Sequence, residues 1–213
     1  ENDRPVFGSC WGHQFLADLG GGTVIEDKDR AEVGSYPIEL TPEGAADTLF
    51  SQFPARFHVQ LGHNDRVSAL GPGWLDLARS ALCPNQAIRL AGKPVYGTQF
   101  HSEMTEERLR ERLLVYLDDY VADEQAYQEI LRKLRPSIEA DRLFELFLES
   151  GVWREYGEKH LQPEQMDDVD VTQPLFDFRF LEIGAGAYRR NATADAHRLS
   201  RVENSLGAFF VRE

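Results

Sequence analysis

Gly8-Ser9-Cys10-Trp11-Gly12 sets a cysteine between two glycines at the end of a short apolar run. A nucleophile on a sharp strand-to-helix turn calls for that spacing. The turn strains the backbone at the nucleophile and lifts its side chain clear. Small residues two before and two after let strand and helix pass close together. A cysteine there stands at a helix N-terminus, where the dipole and free N–H groups favour the reactive thiolate. The N–H of Trp11, the residue after the cysteine, would face a developing oxyanion. A buried structural cysteine in a glycine-rich turn carries the same five residues, so the elbow alone leaves both readings open.

A second stretch, Val95 to Glu103, places His101 and Glu103 at the end of an apolar strand and ahead of a helix. Residues two apart on a strand face one side, roughly 6 to 7 Å apart along it. The two side chains can meet across that gap. The glutamate would then fix the imidazole tautomer and stabilise the imidazolium. Cysteine, histidine and acid make a nucleophile, a base and an orienter. A surface His-x-Glu without function has the same spacing.

Several elements must position these groups. Pro5 to Ser9 reads as a buried strand and Trp11 to Leu19 as a helix with Phe15, Leu16 and Leu19 on one side. Gly20 to Gly22 end that helix. Thr23–Ile25, Tyr36–Leu40, Phe57–Gln60, Leu75–Ser80, Ala87–Leu90 and Val95–Phe100 are strand candidates. Turn residues separate them, Thr41-Pro42-Glu43-Gly44 among them. Thr105 to Val121 has Leu109, Leu113, Leu114 and Leu117 at helical spacing. A second helix is predicted over Asp123 to Leu134. A third is capped by Ser137, with Leu143, Phe144, Phe147 and Leu148 as its apolar face. Gln162 to Gln173 reads as a linker and Leu175 to Ile183 as a strand. Strands followed by helices, with a glycine-flanked cysteine between them, imply an α/β sheet with its site at the carboxyl ends of strands.

Composition narrows the partners. The chain has 213 residues, 42% of them hydrophobic, and a formal net charge of −13. Such a surface repels a phosphate backbone, which argues against nucleic acid. No apolar run approaches the roughly 18 residues that span a bilayer, and no signal peptide is recognisable. Two cysteines, Cys10 and Cys83, build no disulfide framework, so a cytoplasmic location is expected. Cys83 reads as a small buried residue. His58, His160 and His197 have no ligand-like neighbours in sequence, so no metal site and no cofactor are expected.

Taken together, these residues resemble the class I (triad) glutamine amidotransferases. Gly8-Ser9-Cys10-Trp11-Gly12-His13-Gln14 matches that family's G-x-C-x-G-x-Q. Gln99-Phe100-His101-Ser102-Glu103 matches its Q-F-H-P-E, with serine in place of proline. Leu61-Gly62-His63-Asn64-Asp65 is similar to the S-H-x-D segment of the GMP-synthase-like branch, as are "LGGGTV", "EVGSYPIELTPEG" and "CPNQAIR". The likeness covers about residues 5 to 121 in the correct order. It implies a three-layer, flavodoxin-like α/β domain in which Cys10 attacks the side-chain amide carbon of glutamine. His101 would act as base and then protonate the departing ammonia, with Glu103 behind it, and a glutamyl thioester would be hydrolysed by water. Gln14 and the backbone around Gly62 and His63 would hold the glutamine. The ammonia would pass to a synthetase partner, since the chain has neither a P-loop nor an ATP-pyrophosphatase motif. In the family roughly a third of the domain precedes the cysteine, and here nine residues do. The chain is therefore expected to hold the C-terminal two-thirds of the domain in residues 1–121, without the loop that gives the second oxyanion donor. A helical extension follows in 122–150, then a tail of unassigned role in 151–213.

Two other functions use the same residues. A γ-glutamyl peptide hydrolase would share the elbow and the histidine. A catalytically inactive binding or regulatory subunit would keep the fold alone. Phe180 to Tyr188 resembles the glycine-rich loop of methyltransferases that bind S-adenosylmethionine, but it lacks a further glycine and too little chain follows it.

Overall fold

The computed structural model describes residues 5–115, 123–149 and 209–210. Strands β1 (Val6–Ser9), β2 (Thr23–Glu26), β3 (Glu32–Leu40), β4 (Arg56–His63), β5 (Asp65–Ala69), β6 (Trp74–Arg79), β7 (Ala87–Leu90), β8 (Val95–Thr98) and β9 (Phe209–Phe210) form two sheets. The larger has seven strands in the order β4-β3-β6-β7-β8-β1-β9, and β2 pairs with β5 in the smaller. β1 and β8 run parallel, with Val6 opposite Val95 and Ser9 opposite Thr98. The other described pairings are antiparallel. This is the expected α/β architecture, with a mixed sheet.

The helices are α1 (Trp11–Leu19), α2 (Pro42–Ala45), α3 (Glu106–Val115), α4 (Glu124–Lys133), α5 (Ile138–Asp141) and α6 (Leu143–Glu149). α1 has the expected bounds but not the expected buried face. It buries Gly12, His13, Gln14 and Ala17, while Leu19 is 68% exposed. Gly8 lies directly beneath the helix, against the Gly12 backbone and Leu16 Cδ1. Gly21, with φ +79°, terminates α1 in the left-handed region.

Four local expectations are corrected. β3 and β4 are longer than their alternating patterns, because they pair with each other over eight positions from Glu32–His63 to Glu39–Arg56. β5 carries no clear pattern of its own and exists as the partner of β2. Thr41 to Gly44 is more than a turn: Thr41 Oγ1 accepts from Gly44 N at 3.0 Å and caps α2. Ser137 does not cap. Its hydroxyl donates to Asp141 Oδ1 at 2.7 Å, and the expected third helix breaks at Arg142 into α5 and α6.

One apolar cluster joins the sheet to the last helices. Phe147 lies 5.3 Å from Phe7 and 5.9 Å from Tyr96, ring centre to ring centre. Leu143 and Phe144 are buried in the same cluster. The segment from Ser137 to Glu149 therefore covers β1 and β8 from behind. A smaller cluster of Met104, Leu109, Leu113, Tyr127 and Leu134 holds α3 against α4. Among the described residues no helix is long and apolar enough to cross a membrane. Residues 116–121, the linker, the strand over 175–183, the glycine-rich loop and the tail, with His160 and His197, lie outside the described residues, as do the side chains of Leu114 and Leu117.

Candidate active site

The two sequence motifs meet at the carboxyl ends of neighbouring parallel strands. Cys10 follows β1, and Gln99 to Glu103 follow β8. Cys10 N donates to Thr98 O at 2.7 Å, which continues the ladder into the elbow. Cys10 has φ 50° and ψ −103° and is 5% exposed. A non-glycine residue there is strained, and the surrounding structure holds it in place. The clamp is visible at Gly8, where an added Cβ would lie 2.7 Å from both C and O of Gly12. Trp11 is the first residue of α1, and its ring stacks on Phe15 at 5.3 Å.

His101 and Glu103 are not on a strand as expected. β8 ends at Thr98, and both residues sit in the following loop. The loop bends because local bonds replace the ladder. Thr98 Oγ1 donates to Phe100 O at 2.9 Å, and His101 N donates to Gln60 O at 3.0 Å. In this loop His101 Nδ1 lies 2.6 Å from Glu103 Oε1. His101 Nε2 is buried, and the ring interacts with the Cys10 side chain. Burial opposes charge on this ring. The charges of Glu103 and Cys10 outweigh it and raise its pKa to about 10. Burial pushes Glu103 up, but the His101 charge and its hydrogen bond win and hold the carboxyl below the usual range.

Stability then depends on pH with a definite sign. The folded ring binds its proton more tightly than the ordinary 6.5. Its contribution is full below about pH 6.5 and is lost as pH rises through about 10. The Glu103 contribution is present above the ordinary carboxylate pKa and is lost as pH falls through its lower folded value. Urea unfolding is expected to show stability declining from neutral pH toward about pH 10, and His101→Gln should flatten that decline. An equal decline in both proteins would place the titrating group elsewhere.

Two side chains near the site carried no separate sequence signal. Ser9 Oγ lies 3.3 Å from Glu103 Oε2 and 3.3 Å from Phe100 O, so it supports the carboxylate from beneath. Gln99 Nε2 lies 3.7 Å from Cys10 Sγ. The network fixes that amide orientation. Gln14 Nε2 donates to Asp65 O at 2.8 Å and to Gln99 Oε1 at 3.1 Å. A backbone carbonyl only accepts, so Gln14 must present its nitrogen, and Gln99 must then turn its own nitrogen to the sulfur. Gln99 lies inside the motif around His101, and its place there is the one pointer to it in the sequence. Gln99→Leu removes the donor at similar volume. Iodoacetamide alkylation of Cys10 is expected to slow about 10-fold, the worth of one hydrogen bond to a charged group. An unchanged rate would make Gln99 a packing residue.

The remaining candidates fall beside this centre. Gln14 spends both amide hydrogens on protein, which leaves its Oε1 for a ligand. A Cβ at Gly62 would meet nothing within 4 Å, so this stretch of β4 borders open space. The His63 ring is buried, with Nδ1 3.0 Å from Asp65 O and Nε2 3.2 Å from Glu32 Oε2. Its side chain braces the β4–β5 junction. His13 is wholly buried. Burial lowers its pKa to about 3, and it stays neutral. Cys83 is buried as expected, and burial followed by the Glu32 charge pushes its thiol up to about 12.

Comparison with known proteins adds relatives. The family model for glutamine amidotransferase class-I matches residues 1–115. The glutamine-hydrolyzing GMP synthase subunit of Pyrococcus abyssi is 36% identical over 114 residues, covering 54% of this chain and 58% of that protein. GMP synthase (glutamine-hydrolyzing) of Thermomicrobium roseum is 35% identical over 162 residues, 71% of this chain and 29% of that protein. The crystal structure of a glutamine amido transferase from Methylobacillus flagellatus superimposes with a TM-score of 0.54 at 26% identity, covering 72% of this chain and 62% of that one. The chain thus spans 58% of the Pyrococcus protein and about a third or less of the longer synthases.

Proposed function

The chain belongs to the class-I glutamine amidotransferase family, and we propose on that premise that it hydrolyses the side-chain amide of glutamine at Cys10. The observation that carries this reading is the pairing of His101 Nδ1 with Glu103 Oε1 at 2.6 Å beside the strained elbow. The Cys10 sulfur attacks the amide carbon. The backbone N–H of Trp11, at the start of α1, faces the oxyanion that forms. His101 holds a proton at neutral pH and gives it from Nε2 to the departing ammonia. The thioester is then attacked by water, whose proton returns to His101. Glutamate leaves, and the sulfur is free again. Glu103 keeps the ring oriented throughout, with Ser9 beneath it.

Gln14 and the backbone at Gly62 and His63 form the wall for the glutamine. The hydrolytic unit occupies residues 1–121, and the helices of 122–150 close its core. The relatives' names supply the next step of the reading: the ammonia passes to a synthetase partner that carries the acceptor. The test is product analysis with free glutamine and with γ-glutamyl dipeptides. Glutamate and ammonia are expected in equal amounts from free glutamine, with the dipeptides cleaved far more slowly. Cleavage of the dipeptides alone would replace the proposal with a γ-glutamyl hydrolase.

A further inference from the structure

A second cluster of reactive side chains lies behind the glutamine wall. His63 Nδ1 is 3.0 Å from the Asp65 carbonyl oxygen. That oxygen only accepts, so Nδ1 carries a hydrogen and Nε2 is the ring atom left to meet Glu32. Nε2 faces Glu32 Oε2 at 3.2 Å. The same oxygen already accepts from Gln86 Nε2 at 2.6 Å. A nitrogen and a carboxylate oxygen at this distance hold either a proton or a cation between them. Glu32 is 0% exposed, and its buried Oε1 has no hydrogen-bond partner among the described residues. Among the same described residues, buried Gln86 Oε1 has none either. Cys83 Sγ completes the group: one ligand atom each from Glu32, His63 and Cys83 lie within 4.8 Å of one another, and all three residues are buried.

We propose that Glu32, His63 and Cys83 hold a divalent cation of the zinc class. The donor set decides the class. One sulfur, one imidazole nitrogen and one carboxylate oxygen suit zinc or cobalt and not magnesium or calcium. The surroundings fit the same reading. A metal-bound histidine typically donates its other N–H to a carbonyl, and a bound carboxylate is itself hydrogen-bonded. Here those partners are Asp65 O and Gln86 Nε2. Cys83 Sγ sits 3.4 Å from Arg30 O, a thiol donor's distance. Binding displaces that thiol proton into solution, together with any proton held between His63 and Glu32.

The cation ties together three strand ends distant in sequence: the start of β3 at Glu32, the end of β4 at His63 and the turn before β7 at Cys83. It thereby fixes the Asp65 carbonyl, which also accepts from Gln14. Its role is to position the wall, and it stands whether or not the chain hydrolyses glutamine.

The test is titration of the chelator-treated chain with cobalt(II), followed by absorption. One equivalent is expected to give a near-ultraviolet thiolate-to-cobalt band and the visible bands of a four-coordinate ion, with release of protons. Cys10→Ala should keep the band, and Cys83→Ser should abolish it while the far-ultraviolet circular dichroism stays native. If that variant does not fold, X-ray absorption of the metal-loaded wild-type chain must show a mixed sulfur and nitrogen or oxygen shell. A folded wild-type chain that takes up no cobalt, or a band that disappears with Cys10, overturns the proposal. The species between His63 and Glu32 would then be a proton, seen as a doubly protonated His63 ring by nitrogen NMR.

Discussion

His101→Asn is expected to slow glutamine hydrolysis on the order of 10,000-fold or more, the scale seen when a member of such a catalytic unit is removed. On the proposed mechanism, the substitution takes away the group that protonates the departing ammonia. It leaves Cys10, the elbow and the Gln14 wall in place. The backbone bond from residue 101 to Gln60 O does not depend on the ring, so the loop keeps its path. The loss should fall on kcat, with KM little changed. Glu103→Gln should cost less, because the ring remains and loses only its charged partner. A His101→Asn chain within 10-fold of wild type would mean that another group supplies the proton, and the assignment of His101 would fail.

The second large effect concerns the elbow itself. In Gly8→Ala the new methyl would stand 2.7 Å from the Gly12 backbone and 2.9 Å from Leu16 Cδ1. A flexible side chain can give way, but the helix backbone cannot. Relief requires α1 to lift from the sheet, which costs about 1–3 kcal/mol in an overpacked interior. Displacing Cys10 by about 1 Å would cost a further 100-fold in rate. Gly62→Ala is the matching control for stability, since its methyl would enter open space. It should unfold within about 0.5 kcal/mol of wild type while raising KM for glutamine. Urea unfolding and steady-state kinetics of the two variants separate these outcomes. Gly8→Ala with native stability and rate would show that α1 does not clamp the nucleophile.

Much of this site is legible in the sequence for a physical reason. The elbow depends on local backbone geometry, so Gly8, Cys10 and Gly12 announce it within five residues. The His101–Glu103 pair is legible by type but not by conformation. The pairing itself is the one expected, but the loop that carries it is set by hydrogen bonds from Thr98 to Phe100 O and from the residue 101 backbone to Gln60 O, which the local pattern does not announce. The buried face of α1 is easily misread because hydrophobicity favours Leu19, while the close crossing at Gly8 favours Gly12. Gln99, Ser9 and the Glu32–His63–Cys83 cluster rest on contacts between distant segments. Glu32 and Cys83 sit in strands and turns whose local patterns say nothing of each other. Their juxtaposition follows from the β3–β4 register and the β6–β7 connection.

The most direct test of the account is the intact mass of the chain after exposure to an electrophilic glutamine analogue, such as a diazoketone, beside a Cys10→Ala control. One adduct per chain is expected, competed by free glutamine and absent from the control. That result would require both a reactive Cys10 and a wall that recognises glutamine. An adduct that persists in Cys10→Ala, or labelling of Cys10 that glutamine does not compete, would contradict the claim that this elbow and its neighbours form a glutamine-hydrolysing site.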